Sequence, residues 1–324
     1  MKRLIECVPN FSEGRDLATV DALVTAMREV PGVFILDRSS DPDHNRSVVT
    51  IAGEPEPVAE AALRAVGKAA ELIDLTRHSG AHPRIGATDV LPFVPIEGFS
   101  MDECVLLARS VGLQIWERYR IPVYFYEAAA TRPERRNLED IRKGQFEGLR
   151  VAALSDPDRS PDIGEPRLHR SAGAVAVSAR KPLIAYNIVL NTPDVTVARK
   201  IARTIRFSSG GLRFVKAMGV DLKSRGLTQV SINLTDFEQT PPHVAFEMVK
   251  REAERYGCSI KSSEIIGLIP RKAIEAAAQY YLQLENFSSA TVLEDRIEAA
   301  AMPPVPFAAE TREDAQRIST QSRK

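Results

Sequence analysis

The segment His78-Ser79-Gly80-Ala81-His82-Pro83-Arg84-Ile85-Gly86-Ala87-Thr88-Asp89, running on as Val90-Leu91-Pro92-Phe93-Val94-Pro95-Ile96, decides how the first half of the chain is read. Helical periodicity ends near His78, and the apolar run from Thr88 to Ile96 reads as a buried strand. The connection between them holds two imidazoles, a guanidinium, a carboxylate and glycines that let a ligand approach the backbone. Pro83 steers His82 away from helical geometry toward an extended one, which can aim the ring into a cleft. The alternative is a surface or capping histidine. His78 and His82 have the spacing of a helical metal pair, but Gly80 and Pro83 oppose a helix and no Glu lies between them. No metal site is expected there.

Upstream, Pro57 to Leu75 reads as an alanine-rich helix. Leu4 to Pro9 reads as a strand, and Leu17 to Val30 as a helix with Leu17, Val20, Leu23, Val24 and Met27 on one face. Asn10, Ser12 or Asp16 in the turn before it can cap that helix, or the turn can bind a carboxylate through free backbone N–H groups. Val33 to Asp37 and Ser47 to Gly53 form a hairpin about a polar turn. Arg46 leaves that turn for the strand. Its planar guanidinium suits a substrate carboxylate, with pairing to Asp41 or Asp43 as the alternative. Downstream come a helix from Ser100 to Tyr119 and a strand from Ile121 to Tyr126, whose Pro122 favours an edge or a strand start. The order contains βαββαβ, the ferredoxin-like plan.

Thr131 to Leu149 is charged, with a helix expected near Asn137 to Lys143. Ser155 to Ala172 is a polar, proline-rich loop, long enough to be a linker or a binding loop. The rhythm then repeats. Strands are expected at Leu183–Leu190, Phe214–Val220, Gln229–Leu234 and Ser259–Glu264, and helices at Asp194–Arg206, His243–Tyr256 and Arg271–Glu285. The fold class is therefore α/β (α+β), two ferredoxin-like βαββαβ subdomains with a ligand cleft between them. The boundaries expected are 1–179, 180–300 and a disordered tail over 301–324, where the sequence turns proline-rich and then charged.

Lys plus Arg and Asp plus Glu both number 43, and such a neutral chain is not expected to bind nucleic acid through excess charge. No apolar run approaches the ~20 residues of a membrane span, and the early Glu6 does not suit a signal peptide. The three separated cysteines, Cys7, Cys104 and Cys258, fit buried thiols in a reducing cytoplasm.

Several motifs together resemble the glutamate formimidoyltransferases (formiminotransferases). They are Glu6-Cys7-Val8-Pro9-Asn10-Phe11-Ser12-Glu13-Gly14, Asn45-Arg46-Ser47-Val48, His82-Pro83-Arg84-Ile85-Gly86-Ala87-Thr88-Asp89-Val90, and Ala179-Arg180-Lys181-Pro182-Leu183-Ile184-Ala185-Tyr186-Asn187-Ile188. Gln229 to Phe237 and Gly267-Leu268-Ile269-Pro270 also match, so the likeness covers residues 3 to 287 in order.

The resemblance implies two α/β subdomains, a dimer, and transfer of a formimidoyl group between N-formimidoyl-L-glutamate and tetrahydrofolate during L-histidine degradation. It makes His82 the catalytic base and tetrahydrofolate a co-substrate. By position it implies a folate loop at Ile163-Gly164-Glu165-Pro166-Arg167-Leu168-His169-Arg170-Ser171-Ala172, more polar here than in animal members. This chain has Ser39 where those members carry an acid, and a shorter glycine-basic loop near Ser208 to Arg213. The chemistry agrees: N5 of tetrahydrofolate loses a proton as it attacks the amidine carbon, and the glutamate nitrogen gains one to leave. A histidine titrating near neutrality can serve both steps. Arg46 and Arg84 are candidates for substrate carboxylates, and Asn10 for substrate binding; Asp37 or Asp89 are candidates to orient His82 or to face the amidine. A separate cyclodeaminase is expected to act downstream. Two alternatives are a metal-dependent amidohydrolase using His44, His78, His82 and aspartates, and a non-catalytic folate-binding module.

Overall fold

The computed structural model describes residues 3–301. The first half begins with β1 (Leu4–Cys7) and β2 (Asn10–Phe11), one strand path broken at Pro9, whose ring nitrogen has no hydrogen to give the ladder. Helix α1 (Leu17–Arg28) follows, with Asp16 at its N-cap accepting from the Ala18 amide. Then come β3 (Val33–Asp41), β4 (Arg46–Gly53), α2 (Pro55–Leu72), β5 (Thr88–Glu97), α3 (Met101–Tyr119), β6 (Val123–Glu127), α4 (Leu138–Ile141), α5 (Gln145–Ser155) and β7 (Val175–Ala179). Helix α3 opens on a capping box of Ser100 and Glu103. The alanine face of α2 lets helices pack closely. A Cβ on its Gly67 would lie 2.6 Å from the Tyr119 ring.

Within this half, β5, β1, β4 and β3 lie side by side, all antiparallel, which is the ferredoxin-like order. Two more strands extend the sheet beyond β5. β7 pairs with it in parallel, Val90 opposite Ala176, and β6 pairs in parallel with β7 to form the edge that Pro122 led us to expect. β7 lies where no strand was expected. Its sequence Val-Ala-Val-Ser-Ala is rich in small residues of modest strand propensity, but all five are buried between parallel neighbours. Helix α5 was likewise not expected. β3 runs four residues beyond Asp37, so the polar turn of the hairpin is shorter than its sequence suggested.

The second half contains β8 (Ile184–Leu190), α6 (Val195–Ile205), β9 (Val215–Leu222), β10 (Leu227–Leu234), α7 (Pro242–Arg255) and β11 (Ile260–Ile266). Its sheet order, β11-β8-β10-β9, repeats the ferredoxin-like plan without extension. Ile184, Tyr186, Ile188 and Leu190 of β8 point to one face and pack with Ala198, Ile201 and Ile205 of α6 and Ala245 and Val249 of α7. The intervening residues, such as Ala185, face the other way. In the first half Ile5 and Cys7 are likewise buried, while Glu6 faces away from that core. Each sheet is thus covered by helices on one face, and the other faces supply the two walls described below.

Helix α8 (Arg271–Leu282) carries the chain into a second unit that begins at Glu275 and includes α9 (Leu293–Ala301). The tail expected over 301–324 lies, beyond Ala301, outside the described residues.

Candidate active site

A cavity of about 360 Å³ opens between the free faces of the two sheets, within the range of small-molecule sites. The first half lines it with Asn10 of β2, Asp37 of β3, Arg46 of β4, His82, Tyr126 of β6 and Arg142 from the turn after α4. The second half contributes Ala185, Lys216, Asn233 and Thr235, and the turn Ile266-Gly267-Leu268. Glu6, Glu127 and Arg180 add further charges to the walls.

Asp89 anchors the ionisable corner. Its carboxylate is fully buried at the start of β5, where Oδ1 accepts the Ile85 amide at 2.8 Å. Oδ2 accepts from Arg46 Nη1 at 2.7 Å and also from Arg142 Nη2. Burial alone would raise this carboxyl, but Arg142 and Arg46 overcome it and hold the group at about 2. Arg46 Nε and Nη2 donate to Asn10 Oδ1 at 3.2 and 2.8 Å. The guanidinium therefore pairs with Asp89, through a chain separation of 43 residues, rather than with Asp41 or Asp43.

The segment from His78 to Arg84 divides in two. Arg84 makes two bonds to the Glu147 carboxylate, at 2.7 and 2.8 Å, and its Nε donates to His78 Nδ1 at 3.1 Å. The carboxylate role expected of Arg84 is therefore not met in this geometry. Its guanidinium, side chain 8 % exposed, is committed to the start of α5 and is absent from the cavity wall. With Nδ1 accepting from Arg84, His78 Nε2 donates to the Asn45 carbonyl at 3.0 Å. Both its nitrogens are engaged, and burial first, against help from Asn45, keeps the ring neutral. Close backbone approach completes the brace: a Cβ on Gly80 would lie 2.3 Å from the His44 carbonyl oxygen.

His82 instead lines the cavity, half-buried. Its Nδ1 lies 2.7 Å from the Pro83 carbonyl, which can only accept, so Nδ1 carries the proton and Nε2 the lone pair. The His44 ring stands edge-on at 5.9 Å. Neither Asp37 nor Asp89 bonds to His82. Asp37 faces the second half, its Oδ2 3.7 Å from where a Cβ on Gly267 would sit. His82 does not titrate near neutrality as a free histidine would. Burial, then Arg46 and Arg142, pull it down to about 3 against the opposing Asp89.

The segment Ile163 to Ala172 lies away from this cavity. Ile163 forms a bridge to Val123, Gly164 sits at φ 100° over the Trp116 ring, and the Ser171 carbonyl accepts the Leu75 amide at 2.9 Å. Leu168 and Ala172 are buried, while Gly164 to Arg167 are exposed. Sequence reasoning missed Arg142, Tyr126 and Lys216. The one local signal was the charged stretch that holds Arg142, which meets Asp89 across 53 residues of chain. Among the described residues no group of three or more His, Cys, Asp or Glu side chains could hold a metal ion, and no helix is long and apolar enough to cross a membrane.

Comparison with known proteins gives two family matches that tile the chain. Residues 4–180 match the N-terminal subdomain of the formiminotransferase domain, and residues 185–302 match the formiminotransferase domain. A glutamate formimidoyltransferase of Streptococcus pyogenes serotype M1 is 48% identical, covering 89% of this chain and 96% of its own. One from Thermoplasma acidophilum is 45% identical, covering 92% and 98%. The formimidoyltransferase-cyclodeaminase of Mus musculus is 42% identical over 88% of this chain and 54% of its own length.

Proposed function

The chain belongs to the formiminotransferase family, and from that premise we propose a reaction in which N5 of tetrahydrofolate takes the formimidoyl group of N-formimidoyl-L-glutamate with His82 as general base. Likeness to glutamate formimidoyltransferases over nearly their whole length makes it an enzyme, a transferase of formimidoyl groups. The roles of single residues are our reading. The observation that carries it is the meeting, in one cavity, of a histidine with a free Nε2 lone pair and a guanidinium able to face a carboxylate.

In this reading His82 Nε2 accepts the N5 proton as the N5–carbon bond forms. It then returns that proton to the glutamate nitrogen as the carbon–nitrogen bond breaks. The Pro83 carbonyl fixes the tautomer. Arg46, held by Asn10 and Asp89, faces a substrate carboxylate. Asp37 faces the cationic amidine, and Arg84 acts at a distance by bracing the loop that carries His82. Holding both reactants between two sheet walls supplies the orientation that such a transfer needs. Ile163 to Ala172 is retained as a folate-binding segment on resemblance alone. We read residues 1–179 and 180–300 as the two subdomains. Histidine degradation in the cytoplasm, a homodimer, no required metal, and a cyclodeaminase acting on the product complete the reading.

The test is release of glutamate from formimidoylglutamate with and without tetrahydrofolate. Folate-dependent release that falls by roughly 10²–10⁴-fold in His82→Ala is the expected result. Release without folate would point to hydrolysis instead, and an unchanged mutant would remove His82 from the chemistry.

A further inference from the structure

His82 stands beside an uncompensated positive charge. One carboxylate, Asp89, is shared by Arg46 from β4 and Arg142 from the turn after α4, so the trio is net positive. All three are largely shielded from water, with side-chain exposures of 0 % for Asp89, 10 % for Arg46 and 13 % for Arg142. Charges are felt more strongly there than at the surface. Arg142 Nε is buried and has no hydrogen-bond partner among the described residues. Arg142 nevertheless lines the cavity, tied to Asp89 through Nη2, and a guanidinium so placed beside Arg46 suits a planar anion with two acceptor oxygens.

We propose that Arg46 and Arg142, bridged by Asp89, seat a carboxylate of the amino-acid substrate, and that this carboxylate supplies the negative charge His82 needs before it can hold a proton. The inference rests on the reading of His82 as the base of formimidoyl transfer and adds Arg142 and a condition to it.

Burial opposes a charged His82 ring whether or not a ligand is bound, and the condition concerns the charge that adds to it. With the seat empty, an imidazolium at His82 would face two guanidiniums and one carboxylate. With a carboxylate in place the corner is neutral, and the imidazolium is no longer opposed by net charge. The other charged or titratable groups on these walls are Asp37, Tyr126, Glu6, Glu127, Arg180 and the Lys216–Glu139 pair, with His44, paired with Asp41 at 3.0 Å, beside the His82 ring. Behind the loop lie His78 and the Arg84–Glu147 pair. The charges of Glu6 and Glu127 fall on Arg180 and Lys216, and among the described residues Asp89 is the carboxylate bonded to Arg46 and Arg142. Proton balance is unaffected: N5 gives one proton to His82 Nε2, the leaving nitrogen receives it, and the seated carboxylate only watches its charge. Burial first, and then the two guanidiniums, lower the basicity of the ring, and a seated carboxylate acts on the second of these causes. By linkage, a carboxylate that makes His82 more basic must itself bind more tightly as pH falls through the ring's titration.

The experiment is an NMR titration of the His82 ring in the full chain, assigned by the resonance lost in His82→Gln, with and without saturating L-glutamate. L-glutamate is expected to raise the midpoint by about one to three pH units. In Arg142→Gln the midpoint of the empty protein should already be raised, the response to L-glutamate should shrink, and the formimidoylglutamate KM should rise by roughly tenfold or more. Arg142→Lys keeps the charge and should restore the low midpoint while leaving the KM impaired. A midpoint that ignores L-glutamate, absence of any spectral response to it, or an Arg142→Gln protein with wild-type midpoint and KM would each overturn the proposal. If turnover persists while the midpoint stays fixed, only this inference fails. If turnover is absent while the midpoint responds, the transfer reading fails and the carboxylate seat stands.

Discussion

The two halves of the chain share one strand order and differ in what joins their last helix to their last strand. In the second half residues 256–259 pass from α7 to β11. In the first, residues 73–87 pass from α2 to β5, and this longer connection carries His78, His82 and Arg84. The first sheet also gains β7 and β6 beyond β5, and the segment between those two strands brings α4, Arg142 and α5 to the site. The second half offers a plainer wall of Lys216, Asn233 and Thr235. A repeated fold thus yields one chemical face and one confining face, because His82 and Arg142 sit in segments that the second half lacks, where they meet Arg46 and Asp89 of the shared strands.

The largest stability effect should fall on the chemical face. Asp89→Ala leaves Arg46 and Arg142 buried without their carboxylate and should cost about 3–5 kcal/mol, read as a lowered urea midpoint. If it costs no more than a change on the confining wall, the contrast between the halves is mistaken.

Acid should sharpen the same contrast. His82 is depressed in the folded state, so the unfolded chain binds the extra proton. Its contribution to stability is full above pH ~6.5 and falls as pH drops toward about 3. Asp89 is also depressed, and its contribution falls between pH ~3.8 and about 2. Urea midpoints measured against pH should therefore decline in two successive windows. His82→Gln should flatten the upper one and spare the lower; a decline unchanged in His82→Gln would mean another group dominates.

The smallest effect is expected across the cavity. Lys216 bonds both oxygens of Glu139 at 3.0 Å, but the pair is partly exposed. Lys216→Ala should change stability by about 1 kcal/mol or less. A larger loss would give the second half an electrostatic weight that its plain wall does not suggest.

Much of this was legible beforehand, for identifiable reasons. Alternation and helical periodicity are local, so β1, α1, α3 and the whole second half could be read from short windows, and Asp16 and Ser100 marked their helices by cap chemistry. The residues of β7 carry little strand signal, because burial between β5 and β6 sets their conformation. His82 could be singled out because Pro83 acts on its immediate neighbour. Arg84 could not be judged, since its partner Glu147 lies 63 residues away.

The amino-acid sequence by itself determined the two βαββαβ units, the family motifs and the histidine at the cavity, all of which depend on near neighbours along the chain. Only the tertiary structure decided that Arg142 and not Arg84 stands with Arg46, that Asp89 serves both, and that His82 is kept neutral. Charge pairing acts through space over a few ångströms, and which charges come that close is fixed only when distant segments pack together.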